Sequence, residues 1–221
     1  NTYKSSIYIT NGTLESTGKI IGENISINKN GIFIASAGNI ESVDFFSNNG
    51  IFQIKAGTNK IYIQGKGTTI IDGSVINSST IVNAVTINQN RRLTTNANDV
   101  IGNINNLGNY VLTGGENSNW IYGTGTTKIN GSVINSSTIV NDVIINKNKQ
   151  LTTNATNIIG NIENSGNLIF NGGTNNNTIT GTGITQIYDN VINQANITQN
   201  NLEILENKQL TNSTATIRIN E

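Results

Sequence analysis

An eleven-residue segment, Gly73-Ser-Val-Ile-Asn-Ser-Ser-Thr-Ile-Val-Asn83, recurs unchanged at residues 131–141. Gly73 and Gly131 open the two copies, and a worn third copy opens at Asp189, the same interval further on. The match extends on both sides: residues 65–122 and 123–180 align without a gap and agree at 37 of 58 positions. A chain repeating at this period stacks one structural unit on the next, and this constrains the architecture more than any other feature.

Comparing the copies sorts positions by their physics. Ile70 is matched by Lys128, Ala84 by Asp142, Arg92 by Gln150 and Asn105 by Glu163. Such swaps are tolerable only in water, because an unpaired buried charge is costly. Ile71, Ile129 and Ile187 stay apolar, as do Val85, Val143 and Leu202, and Ile87, Ile145 and Ile204. Leu93, Leu151 and Leu210 agree, and so do Val100, Ile158 and Ile217. In the duplicated segment Val75, Ile76 and Ile81 stay apolar in the third copy. These positions are the expected core. Trp120 and Tyr122 are replaced by Thr178 and Thr180 and are expected outside, with Ile121 and Ile179 inside.

The inward positions recur at intervals commonly near six or seven, which excludes helical spacing of three and four. Three short strands of that length make a coil of about 19 residues, and three coils would consume one repeat. The expected fold is all-β, a parallel β-solenoid whose coils stack at about 4.8 Å, giving a rod of roughly 50–55 Å. Residues 1–221 are read as one solenoid: an irregular unit over 1–64, repeats at 65–122 and 123–180, and a truncated third repeat at 181–221. Neither terminus shows a polar or helical cap, so the expectation is a piece of a longer rod.

Composition agrees. The 221 residues contain no Pro, which cannot donate to a strand ladder. Asparagine supplies 43 residues, and stacked Asn side chains can hydrogen-bond from coil to coil. Thirteen basic residues balance 13 acidic ones, which gives no electrostatic footprint for nucleic acid. No apolar run is long enough for a membrane-spanning helix, so insertion of this segment into a membrane is not expected.

The chain has no His and no Cys. This removes the commonest general base and Ser-His-Asp or Cys-His sites. Asp72 becomes Asn130 and Tyr188, Asp99 becomes Asn157, and Asp142 stands where the first copy has Ala84, so these carboxylates read as surface positions. Gly114-Gly-Glu-Asn-Ser-Asn119 and Gly172-Gly-Thr-Asn-Asn-Asn177 lack the Asp ligand of a calcium turn and read as plain turns. No catalytic residue, metal site or cofactor is expected. The sequons at Asn77, Asn135 and Asn154 are taken as chance. The residues singled out for binding are Arg91, Arg92, Trp120 and Tyr122, because exposed Arg, Trp and Tyr are enriched at binding hot spots.

Gly160-Asn-Ile-Glu-Asn-Ser-Gly-Asn-Leu-Ile-Phe-Asn171 and Gly108-Asn-Tyr-Val-Leu-Thr-Gly-Gly115 resemble the passenger segments of bacterial autotransporter (type V-secreted) surface proteins, including rickettsial surface-antigen-like passengers. The resemblance implies a right-handed β-helix, secreted and displayed outside the outer membrane. The expected role is a non-enzymatic structural or adhesive segment of such a virulence-type surface protein. Its partners would be a host-cell protein or glycan, or other copies of itself. Two alternatives remain. A carbohydrate-binding or carbohydrate-cleaving β-helix of the tail-spike or lyase type would gather Asp44, Glu41 and Arg91 in a groove. An ice-binding type would need Thr-x-Thr in register on every coil.

Overall fold

A computed structural model describes residues 6–41, 44–213 and 215–220. The described residues form short parallel strands and three 3₁₀ turns, with no α-helix. The chain divides into two compact units, residues 1–109 and 110–221. Each is a parallel β-solenoid.

In the first unit, Ile7–Ser16 lies against Asn24–Ala35, with a register shift between Ile9 and Asn11. From there the chain climbs in coils. Phe33 pairs with Phe52, and Phe52 with Thr69. Thr69 pairs with Val85 and Val85 with Ile104. A second ladder joins Ile25, Phe46 and Ile63, continuing through bridges to Ile81 and Val100. A third joins Gly57, Val75 and Leu93. Residues 1–64 thus stack in the same ladders as the repeat that follows. Phe33, Phe46 and Phe52 are at most 1% exposed and form an aromatic plug, with centroids 5.4 Å (33–52) and 4.7 Å (46–52) apart. Such pairs add to the hydrophobic contribution of burial.

In the second unit one ladder runs Thr127, Val143, Ile162, Ile179, Ile197, Ile217. Another runs Gly115, Val133, Leu151, Leu168, Thr185, Leu202. The third passes through bridges at Ile121, Ile139 and Ile158, and Gly173, Val191 and Leu210 pair further along the chain. One turn carries Val133 to Leu151, and the next carries Leu151 to Leu168. A coil is therefore slightly shorter than expected.

The repeat is not three whole coils. Three turns from Thr127 lead through Val143 and Ile162 to Ile179. The repeat partner of Thr127 is Thr185, which lies beyond Ile179 and in a different ladder. Each repeat thus comprises three turns and one further face. Identical residues in successive copies point in different directions.

The core follows the copy comparison in most places. Ile71, Ile87, Leu93, Ile129, Ile145, Leu151 and Ile187 are all 0% exposed. Ile121 and Ile179 are buried between outward neighbours, as expected. Two expectations are corrected. Ile76, Ile134 and Ile192 stay apolar yet are 49%, 52% and 46% exposed. Strand alternation in Ser74–Asn77 sends Val75 and Asn77 inward and Ile76 outward. In the third copy Leu202, Leu210 and Ile217 are only half-buried and Ile204 is exposed. Their strands have a ladder neighbour on one side only, so one flank of each side chain meets water.

The inward asparagines sit at corners. Asn59 Nδ2 donates to Asn77 Oδ1 at 2.7 Å, and Asn77 Nδ2 to Thr95 Oγ1 at 3.1 Å. The second unit repeats this with Asn117, Asn135 and Thr153 at 2.7 and 3.1 Å. It does so again with Asn175, Asn193 and Asn212, at 2.8 Å each. Each of these amides also donates to a carbonyl just beyond its own corner, as Asn117 does to Asn119 and Asn193 to Ala195. A corner leaves backbone groups that no ladder can satisfy, and buried ones must be paired. The asparagine side chain pairs them and links coils at the same time. Three other corners use Asn90, Asn148 and Asn207 at φ 61°, 60° and 63°, the left-handed region that Asn tolerates better than most residues.

Candidate functional site

The four residues singled out for binding fall in two places. Arg91 and Arg92 belong to the first unit, at the corner leading into Arg92–Thr95. Arg91 Nε lies 3.5 Å from Asp72 Oδ1, and Lys55 Nζ is 2.9 Å from Asp72 Oδ2. Gln53 Nε2 donates to the same carboxylate at 2.8 Å and Asn88 Nδ2 at 3.1 Å. The bonds from Lys55 and then Asn88 hold the Asp72 carboxyl down from 3.8 to about 2. Asp72 is therefore ionised throughout the physiological range and is unsuited to act as a general acid. Arg91 is engaged with it. The Arg92 side chain is exposed.

Trp120 and Tyr122 come together in the second unit. Their ring centroids are 4.7 Å apart with the planes tilted by 34°. Both flank the buried Ile121, so alternation turns both outward. Ile121, Ile139 and Ile158 are bridged in adjacent coils, which sets Tyr122, Val140 and Ile159 in one outward column. Ile159 is 59% exposed and Trp120 47%.

A shallow groove of about 410 Å³ in the second unit is lined by Asp142 and Glu163 together with Thr126, Thr178 and Thr180. Asp142 Oδ1 accepts the backbone N–H of Asn161 at 2.9 Å. One of the two carboxylates thus ties two coils together. Among the described residues there is no group of three His, Cys, Asp or Glu side chains that could hold a metal ion. No described helix is long and apolar enough to cross a membrane. The groove anticipated from Asp44, Glu41 and Arg91 is not assembled by the described side chains: Arg91 faces Asp72, and the side chain of Glu41 lies outside the described set.

The motifs set aside as structural behave structurally. Gly114, Gly115, Gly172 and Gly173 have φ of 148°, 89°, 113° and 95° and turn the chain, as glycine readily does. Asn117 and Asn175 of the same motifs point into the core columns, fully buried. Asn77 and Asn135 of the sequons are 4% and 3% exposed and committed to the same kind of column. Asn154 accepts the N–H of Thr156 at 3.0 Å and caps a 3₁₀ turn. Thr-x-Thr pairs do not tile a face: Thr126 pairs with Asp142, and Lys128 with Ile144. The ice-binding alternative loses its required lattice.

Sequence reasoning missed a second groove in this unit, lined by Lys147 and Lys149. The available signal was the loss of Asp72 to Asn130 beside a retained basic residue. No family model, curated protein or solved structure matches the chain.

Proposed function

We propose that the chain is a non-enzymatic structural and adhesive solenoid segment of a secreted, surface-displayed bacterial protein of the passenger type. The observation that carries this reading is the interior asparagine column. Coils are joined by backbone ladders and, at their corners, by side-chain bonds such as Asn117–Asn135–Thr153. Buried networks whose members are all satisfied rigidify the structure around them. A solenoid built this way holds whatever its flanks present in fixed register. Repeats of three turns and a face distribute equal side chains to different faces. The outward surface is therefore varied, and it supports local adhesive patches such as Trp120–Tyr122 instead of one tiled lattice.

The test is adhesion with the purified chain. Beads coated with it should retain host cells or immobilised glycans, and retention should fall when Trp120 and Tyr122 are both replaced by Ser. Release of reducing ends from an acidic polysaccharide incubated with the chain would overturn the non-enzymatic reading in favour of a carbohydrate-cleaving β-helix.

A further inference from the structure

The second groove crosses four successive coils of the second unit, at Ser132, Gln150, Asn167 and Ile184. It has a volume of about 400 Å³ and is lined by Ser132, Lys147, Lys149, Ser165, Asn167 and Thr182 among others, with no carboxylate. Its cations are the point of interest, because the chain contains its own controls. At the same corner of the first copy stands Arg91, held by Asp72 at 3.5 Å. In the third copy it is Lys208, whose Nζ lies 3.1 Å from Asp189. In the second copy Asp72 is replaced by Asn130 and Asp189 by Gly131. The local bond survives without its charge: Asn146 Nδ2 donates to Asn130 Oδ1 at 3.3 Å, as Asn88 does to Asp72 at 3.1 Å. Among the described residues neither Lys147 nor Lys149 has an ion-pair partner. Beside them Asn167 Oδ1 is shielded from water and makes no hydrogen bond.

We propose that this groove binds the carboxylate or sulfate groups of an acidic polysaccharide. Two unneutralised ammonium groups supply the attraction for an oxyanion. The hydroxyls of Ser132, Ser165 and Thr182 supply partners for sugar hydroxyls. Nucleic acid fits less well: the groove has no aromatic side chain for base stacking, and the chain has zero net charge. The proposal rests on the adhesive reading only for its biological setting; binding itself is a property of the groove.

The experiment measures binding of the whole chain to heparin (sulfated), polygalacturonate (carboxylated), neutral dextran and duplex DNA. Heparin, polygalacturonate or both should bind, more weakly as salt rises, and the preferred one identifies the anion. Replacing both Lys147 and Lys149 by Ala should weaken that binding about tenfold with no change in unfolding temperature. Asn130→Asp, which restores the carboxylate of the first copy, should weaken it about threefold. The proposal is overturned if neither anionic glycan binds, if dextran binds as tightly, if DNA binds more tightly, or if both variants bind like the parent. Heparin or polygalacturonate binding that survives the lysine replacements, with cell adhesion intact, would sink the groove and spare the adhesive reading. Lysine-dependent heparin binding without cell adhesion would do the reverse.

Discussion

Replacing Asn135 by Ala tests the interior column at a single residue. Asn135 is 3% exposed. Its Oδ1 accepts from Asn117 at 2.7 Å, and its Nδ2 donates to the Ser137 carbonyl at 2.6 Å and to Thr153 Oγ1 at 3.1 Å. Alanine removes three bonds, each worth about 1 kcal/mol net, and leaves one buried Asn117 N–H without a partner. The expected loss is about 3–5 kcal/mol, read as a lower urea midpoint at unchanged slope. Ser136→Ala is the control one residue away. It removes only the exposed bond to Glu116 (2.7 Å) and should stay within about 0.5 kcal/mol of the parent. Asn135→Asp sharpens the test. A buried carboxyl has its folded pKa raised, so it is tolerated when protonated at low pH. Its cost appears as pH rises past the unfolded value of about 3.9. That variant should be more stable relative to the parent at pH 4 than at pH 7. Loss in Asn135→Ala no larger than in Ser136→Ala would refute the column as a source of stability.

Three further outcomes follow from particular contacts. The folded pKa of Asp72 is depressed to about 2, so the stability it contributes is present above about 3.9 and lost as pH falls towards 2. Because Lys55 and Arg91 are 43% and 48% exposed, solvent screening limits the effect, and Asp72→Asn should cost about 1 kcal/mol at pH 7 and flatten the acid limb of an unfolding-versus-pH profile. Val75→Ala should cost about 1–2 kcal/mol by urea titration, whereas Ile76→Ser should fall within about 0.5 kcal/mol, despite the persistence of isoleucine there in every copy. Gly131→Ala would press a methyl into the Thr113 carbonyl and should lower the unfolding temperature, with a cost of about 1–3 kcal/mol.

The solenoid itself was legible because buried ladder positions cannot accept a charge. Ile71, Ile129 and Ile187 reveal themselves by staying apolar while Ile70 drifts to Lys128. The same logic fails where polarity and burial part company. Asn77, Asn135 and Asn193 are invariant across the copies and lie inside, because a corner needs an amide to pair its backbone. Ile76 is equally persistent and lies outside, where a β-branched residue suits the strand without needing burial. Strict period-two counting from Val75 would have placed both. The face-by-face advance of the repeat was hidden, because the repeat length divides almost as well into three coils of the expected size as into shorter coils plus one face. Of the proposed binding residues, Trp120 and Tyr122 were readable from the Ile121 between them. The engagement of Arg91 was not, since Asp72 lies well upstream and meets it only after one turn of the solenoid.

Coil register is the claim on which the rest stands, and a chain without cysteine allows it to be measured directly by disulfide trapping. Ile134 and Thr152 are register partners on adjacent coils, and both side chains point outward. Adjacent strands lie about 4.8 Å apart, within the span a disulfide bridges. Ile134 and Gln150 are offset diagonally by two residues, about 7–8 Å, which is too far. Mild oxidation should close the bridge in the Ile134→Cys, Thr152→Cys variant and leave the Ile134→Cys, Gln150→Cys variant reduced. No bridge in the first variant, or equal bridging in both, would contradict the register and with it the asparagine columns.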